Sequence, residues 1–162
     1  MIRCIGMKPS SPALFLVACL ALAVAACNSQ RARFPVQRYV PLSETMESLG
    51  ELDLSNTLMR LSALEGEMKL EYVGQMPESA GEDLVGASVY RVKNWEPFFK
   101  QNAGKDAYCK SAPRWVAVNS KTGAPSWSNE IWVGLLTLEE WQKYTPDEHR
   151  SCAGGTYVRG RQ

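Results

Sequence analysis

Residues 55–72 read SNTLMRLSALEGEMKLEY, and the fold class turns on how this stretch divides. Leu58, Leu61 and Leu64 fall at near-helical spacing, Ser55 stands where an N-cap belongs, and Gly66 stands where a helix closes. That pattern predicts a helix over 55–65. Past Gly66, Met68, Leu70 and Tyr72 alternate with polar residues, which is the period of a strand. A helix leading straight into a strand argues for a domain of mixed α and β structure.

Working outward, 77–83 reads as a polar loop and Val85–Val92 as a second strand with Val85, Ala87 and Val89 on one face. Asn94–Asn102 reads as a short helix that tolerates Pro97 only in its first turn. Arg114–Asn119 (RWVAVN) is a strand, Lys121–Ser128 a Gly/Pro turn, and Glu130–Leu136 the most apolar strand of the mature chain. Thr137 and Glu140 have capping-box spacing, so a helix is expected to run to Tyr144 and stop before Pro146. Gly155–Arg159 supplies a last short strand. Several connections are too short for parallel crossovers. The expected fold is therefore α+β, a small domain with a largely antiparallel sheet of about four to five strands and two to three short helices.

The N-terminal region has a different character. Arg3 and Lys8 precede Ala13–Ala26 (ALFLVACLALAVAA), a run without a charge. This is the charged-then-apolar order of a secretory leader. A helix of that length spans about 21 Å, short of the roughly 30 Å hydrocarbon core. The run ends Val24-Ala25-Ala26-Cys27, which resembles the lipobox of bacterial lipoprotein precursors. The resemblance covers residues 1–28. It implies diacylglycerol on the Cys27 sulfur, cleavage between Ala26 and Cys27, and acylation of the new N-terminus. Two or more acyl chains would hold the protein firmly to a membrane. The alternative is ordinary secretion, with cleavage after Ala23 or Ala25. Asn28, in place of an aspartate, favours the outer over the inner membrane. Met7-Lys8 offers a second start.

The expected organisation is thus a signal peptide over 1–26, a lipidated cysteine and tether over 27–43, and one globular envelope domain over 44–162. The chain has 162 residues, is 45% apolar and 22% charged, and carries a net charge of +1. That is enough for one domain with a real core, and it excludes the strongly basic face that nucleic acid requires. Within it, 44–83 holds ten acids against Arg60 and Lys69, whereas 84–121 holds seven basic residues against Glu96 and Asp106. These blocks either pair across the fold or present a charged docking face.

An exported chain meets an oxidising compartment, so Cys109 and Cys152 are expected to bridge. Such a loop contributes about 4 kcal/mol by chain entropy. The competing role, a Cys–His nucleophile using His149, lacks the local signatures of such sites. With one histidine, no metal site is expected, and no cofactor motif is present. Gly86-Ala87-Ser88 starts like a nucleophile elbow, but Tyr90 stands in place of its closing glycine. Trp115, Trp132 and Trp141 sit in element patterns and read as packing residues. Trp127, in the polar turn GAPSWSNE, and Trp95, at an element boundary, read as a binding surface. The expected protein is a membrane-anchored, non-enzymatic module that binds another envelope protein. The alternatives are a glycan or peptidoglycan binder using Trp95 and Trp127, and third, an envelope hydrolase.

Overall fold

The computed structural model describes residues 35–82, 84–105, 109–120, 128–146 and 151–160. It overturns the α+β expectation. The described residues form a closed barrel of eight antiparallel strands, each paired with its neighbour in sequence, the last returning to the first. The strands are β1 (Gln37–Pro41), β2 (Leu52–Leu54), β3 (Leu58–Leu61), β4 (Met68–Gln75), β5 (Ser88–Val92), β6 (Trp115–Ser120), β7 (Glu130–Leu136) and β8 (Ser151–Arg159). Among the described residues the α-helices are α1 (Glu44–Glu47) and α2 (Trp95–Asn102), and single 3-10 turns occupy Glu78–Ala80 and Trp141–Lys143.

The 55–65 stretch is where the expectation failed. Met59 and Leu61 point into the barrel while Arg60 is exposed, so alternation within 58–61 outranks the leucine spacing. Ser55 caps no helix. Its hydroxyl accepts from the Thr57 backbone N–H (3.3 Å), shaping the β2–β3 turn. Gly66, at φ +82°, turns the chain between β3 and β4. The sequence-predicted strands over 68–72, 85–92, 114–119 and 130–136 each overlap an observed strand, and the 94–102 helix matches α2. Gln37–Pro41, read as tether, is β1, so the barrel begins before residue 44.

The predicted 137–144 helix is reduced to a 3-10 turn with no side-chain cap. The reason is burial. Leu138 and Tyr144 are buried, and Trp141 packs with them, on the outer face of the barrel. The Leu138 carbonyl accepts from the Trp115 indole Nε1 at 2.9 Å. These contacts outweigh a favourable capping sequence.

Parity along the strands fixes the interior. Tyr39, Leu52, Met59, Met68, Tyr90, Val116, Val133 and Tyr157 belong to one buried cluster inside the barrel. An eight-stranded barrel is just wide enough for its side chains to fill, and this one is filled by large ones: Tyr39, Tyr157, Met59 and Met68 are each essentially inaccessible.

The two ends differ. The connections β1–β2, β3–β4 and β5–β6 leave from one end and drive Met46, Leu49, Leu64 and Phe98 into the interior cluster. This is the capped end. At the opposite end, no described residue of the β2–β3, β4–β5 or β6–β7 connections joins that cluster. This is the mouth.

A second apolar cluster lies outside the barrel on β5–β7, where the 76–87 and 137–144 segments cover Trp115, Ala117 and Leu136. Trp132 packs at its edge, its ring laid across Gly134 and Gly154. A Cβ on Gly154 would meet the ring at 2.7 Å. Glycine in these strands is therefore a requirement of close approach, and it lets β8 run through Gly154 and Gly155, well upstream of the predicted 155. Gly154→Ala is expected to cost about 1–3 kcal/mol. Denaturant titration of Gly154→Ala alone and with Trp132→Leu checks this: the double variant should recover most of the loss.

Candidate functional site

The sequence-predicted residues fall at both ends. Trp95 opens α2 at the capped end, half-buried, with its ring packed against the interior cluster. The Arg114 guanidinium lies 5.0 Å from the ring centroid and pairs with Glu139 at 3.7 Å. A cation over an indole face contributes about 0.5–1 kcal/mol at an exposed site, and here it occupies a surface that a ligand would otherwise use. Trp127 lies outside the described residues, as do Cys27 and His149. The described strand ends Ser120 and Glu130 sit at the mouth.

Cys109 and Cys152 are joined, with Cα atoms 5.0 Å apart. The bond links the long β5–β6 connection to the start of β8. The same connection is pinned by two asparagines. Asn102, fully buried, accepts from the Glu65 N–H (2.8 Å) and donates to the carbonyls of Glu65 (3.0 Å) and Phe98 (2.9 Å). Asn94 accepts from the Lys69 N–H and donates to the Glu67 carbonyl, both at 2.8 Å. Each side chain thus completes the backbone of the β3–β4 corner, as a neighbouring strand would. Two open grooves lie at this end. One of about 390 Å³ is lined by Phe99, Asn102, Lys105 and Cys109; one of about 530 Å³ is lined by Leu138, Glu139 and Lys143.

The charge blocks meet. Glu71 of the acidic block pairs with Lys93 (3.4 Å) and Arg91 (3.9 Å) of the basic block, and Glu65 pairs with Lys105 at 3.4 Å. Arg38 from the tether pairs with Asp53 at 3.2 Å. Most of these side chains are well exposed, and each pair contributes little. They do show the blocks facing one another, which favours pairing over a docking face of one sign.

The mouth holds what sequence reading missed. Ala153, Gly155, Tyr157 and Arg159 share the inward face of β8, so Arg159 points inward at this end. Its Nη2 donates to Gln37 Oε1 at 2.7 Å, and its backbone N–H donates to the Asn129 carbonyl. Tyr39 stands directly opposite it on β1. Ser88 is buried, and Ser120 Oγ is buried without a hydrogen-bond partner. Tyr72 and Tyr90 meet edge to face at 5.8 Å between centroids. The full length of β8 was the signal needed, and its paired glycines hid it.

Burial raises the Tyr39 phenol above its ordinary value, with the Arg159 charge pulling the other way, and burial raises Tyr157 strongly. Both tyrosines are favoured neutral in the fold. Their contribution is intact below about pH 10, the ordinary tyrosine value, and is lost as pH rises beyond it. Stability measured by urea titration should therefore fall above about pH 10, and Tyr157→Phe should flatten that fall.

No known protein family, no curated protein and no solved structure matches this chain.

Proposed function

We propose that this chain is a bacterial lipoprotein, held in the envelope through Cys27, whose barrel is a non-enzymatic module that binds another envelope protein. The observation that carries the reading is the lipobox Val24-Ala25-Ala26-Cys27 behind its apolar leader. The Cys109–Cys152 pair supports it, because a bond of this kind suits an oxidising compartment outside the cytoplasm. The barrel supplies a rigid, filled frame, and its capped end offers the partner a surface of mixed character: Trp95 with Arg114 and Glu139, beside two open grooves. Asn28 after the cysteine favours the outer membrane.

Two measurements test the proposal. Mass spectrometry of the mature protein should find an N-terminal peptide that begins at Cys27 and carries acyl chains, and Cys27→Ala should abolish both processing and membrane retention. An unmodified peptide beginning at Val24 or Ala26 would mean ordinary secretion. A photo-crosslinker at Glu139 should then capture one discrete protein that a crosslinker at Arg60, on the barrel wall, does not. Identical patterns from both positions would remove the capped end as the binding surface.

A further inference from the structure

Where the chain enters the barrel decides how the barrel can stand on a membrane. β1 begins at Gln37, at the mouth, and runs toward the capped end. Pro35, the first described residue, follows Cys27 by eight positions. However those positions are arranged, a trans chain covers at most about 3.6 Å per residue, so Pro35 lies within about 29 Å of Cys27. The nine residues of β8, rising about 3.3 Å each at a tilt of about 40°, make the strand layer roughly 20 Å tall. At the capped end α2 adds roughly 10 Å, the width of a helix.

The side chains place the barrel in water. Arg38, Asp53, Arg60, Lys69, Glu71 and Arg91 face outward on β1 to β5, where a membrane-spanning barrel presents apolar side chains. β2 and β3, at three and four residues, fall short of the roughly nine to eleven that a spanning strand needs. The capped end is equally unsuited to lipid. Glu96 with Lys100, Arg114 with Glu139 and Glu140 with Lys143 form charged pairs there, and burial in hydrocarbon would cost their solvation.

We propose that the acylated protein stands with its mouth toward the lipid head groups, so that the capped end meets a protein surface in water, not a membrane-embedded one. This rests on the Cys27 anchor and the capped-end contact proposed above. A barrel turned over would lift Pro35 about 30 Å above the head groups, the full reach of the chain to Cys27 pulled straight. Upright, the distance to be spanned falls well inside that reach. The length of the segment sets the orientation, with no attraction between barrel and lipid required.

The test uses the full acylated protein, purified from membranes and returned to phosphatidylethanolamine–phosphatidylglycerol vesicles that carry a head-group energy acceptor. A fluorescent amino acid replaces Thr57 in the β2–β3 turn at the mouth, or Glu96 on α2; both positions are exposed. With a height difference of roughly 20 Å, transfer from position 57 should be about twofold or more that from position 96. A Gly/Ser linker of about thirty residues between Phe34 and Pro35 extends the reach beyond the height of the barrel, and should shrink the difference by about half or more. Protein that does not float with the vesicles lacks the anchor, which overturns the lipoprotein reading and the orientation together. Protein that floats but transfers equally from both positions, or more from 96, overturns the orientation alone. So does a difference that the linker leaves unchanged. A crosslink from Glu139 should map to a partner segment outside the bilayer, and one mapped to a membrane-embedded segment overturns the proposed partner surface.

Discussion

Replacing Cys152 with serine, or reducing the native protein, is expected to lower the free energy of unfolding by about 2–4 kcal/mol. The bond closes a loop across 43 positions of sequence, and in the unfolded chain that closure removes a large share of accessible conformations. In the folded protein it does something more local. Cys109 sits in the β5–β6 connection just beyond the two pinning asparagines, and Cys152 sits at the start of β8, beyond the last residue that pairs with β1. Without the bond, the start of β8 is held by its β7 partners and by α1. Amide exchange should accordingly quicken in α2 and at 151–154 well before it does at 157–159. A denaturation midpoint that is the same with and without reductant would refute the expectation.

The second large effect is expected at Tyr157. Its ring is wholly inaccessible, its strand partners are Ile131 on one side and Pro41 on the other, and its hydroxyl donates to the Gly50 carbonyl at 3.3 Å. Tyr157→Ala should cost about 3–5 kcal/mol, because a filled barrel has no flexible neighbour to occupy the vacated space. Tyr157→Phe keeps the ring and should cost about 1 kcal/mol for the hydroxyl alone. The pair of variants separates packing from hydrogen bonding. A Tyr157→Ala cost below about 1 kcal/mol would mean that the interior is looser than its burial indicates.

Much of the barrel was legible as strands and very little of it as a barrel. Met68–Tyr72, Arg114–Asn119 and Glu130–Leu136 announce themselves by alternation or by apolar density, and those signals survive in β4, β6 and β7. The short strands do not. Leu52–Leu54 is three residues long, below any usable period, and Gln37–Pro41 lies among arginines and prolines that read as linker. The helix expected over 55–65 failed because three leucines at helical spacing happen to serve three different places: Leu58 is only partly buried, Leu61 lies in the barrel and Leu64 lies in its cap. Closure itself leaves no local mark, since it is a property of β1 meeting β8. Of the candidate site, the cysteine pairing was legible from compartment and parity of number, and Trp95 was correctly placed at an element boundary. The stacking of Arg114 on Trp95 was not legible, because nothing in sequence brings a residue before β6 onto the start of α2. Arg159 was invisible as an inward residue until β8 was known to run without interruption through its glycines.

The order of the strands has a consequence for how the protein is made. Seven of the eight strand pairs join neighbours in sequence, and each becomes available as its two strands emerge from synthesis. The eighth, β1 with β8, joins the first strand to the last. Until residues 151–159 are released, β1 and β7 both present bare edges, and an unfinished chain is a ribbon inviting another ribbon to pair with it. For a nascent chain that lacks β8, the cost is therefore far larger than the few residues lost. Such a product should assemble into multimers through those two edges, so an intact β8 is what keeps the barrel from pairing with further copies of itself.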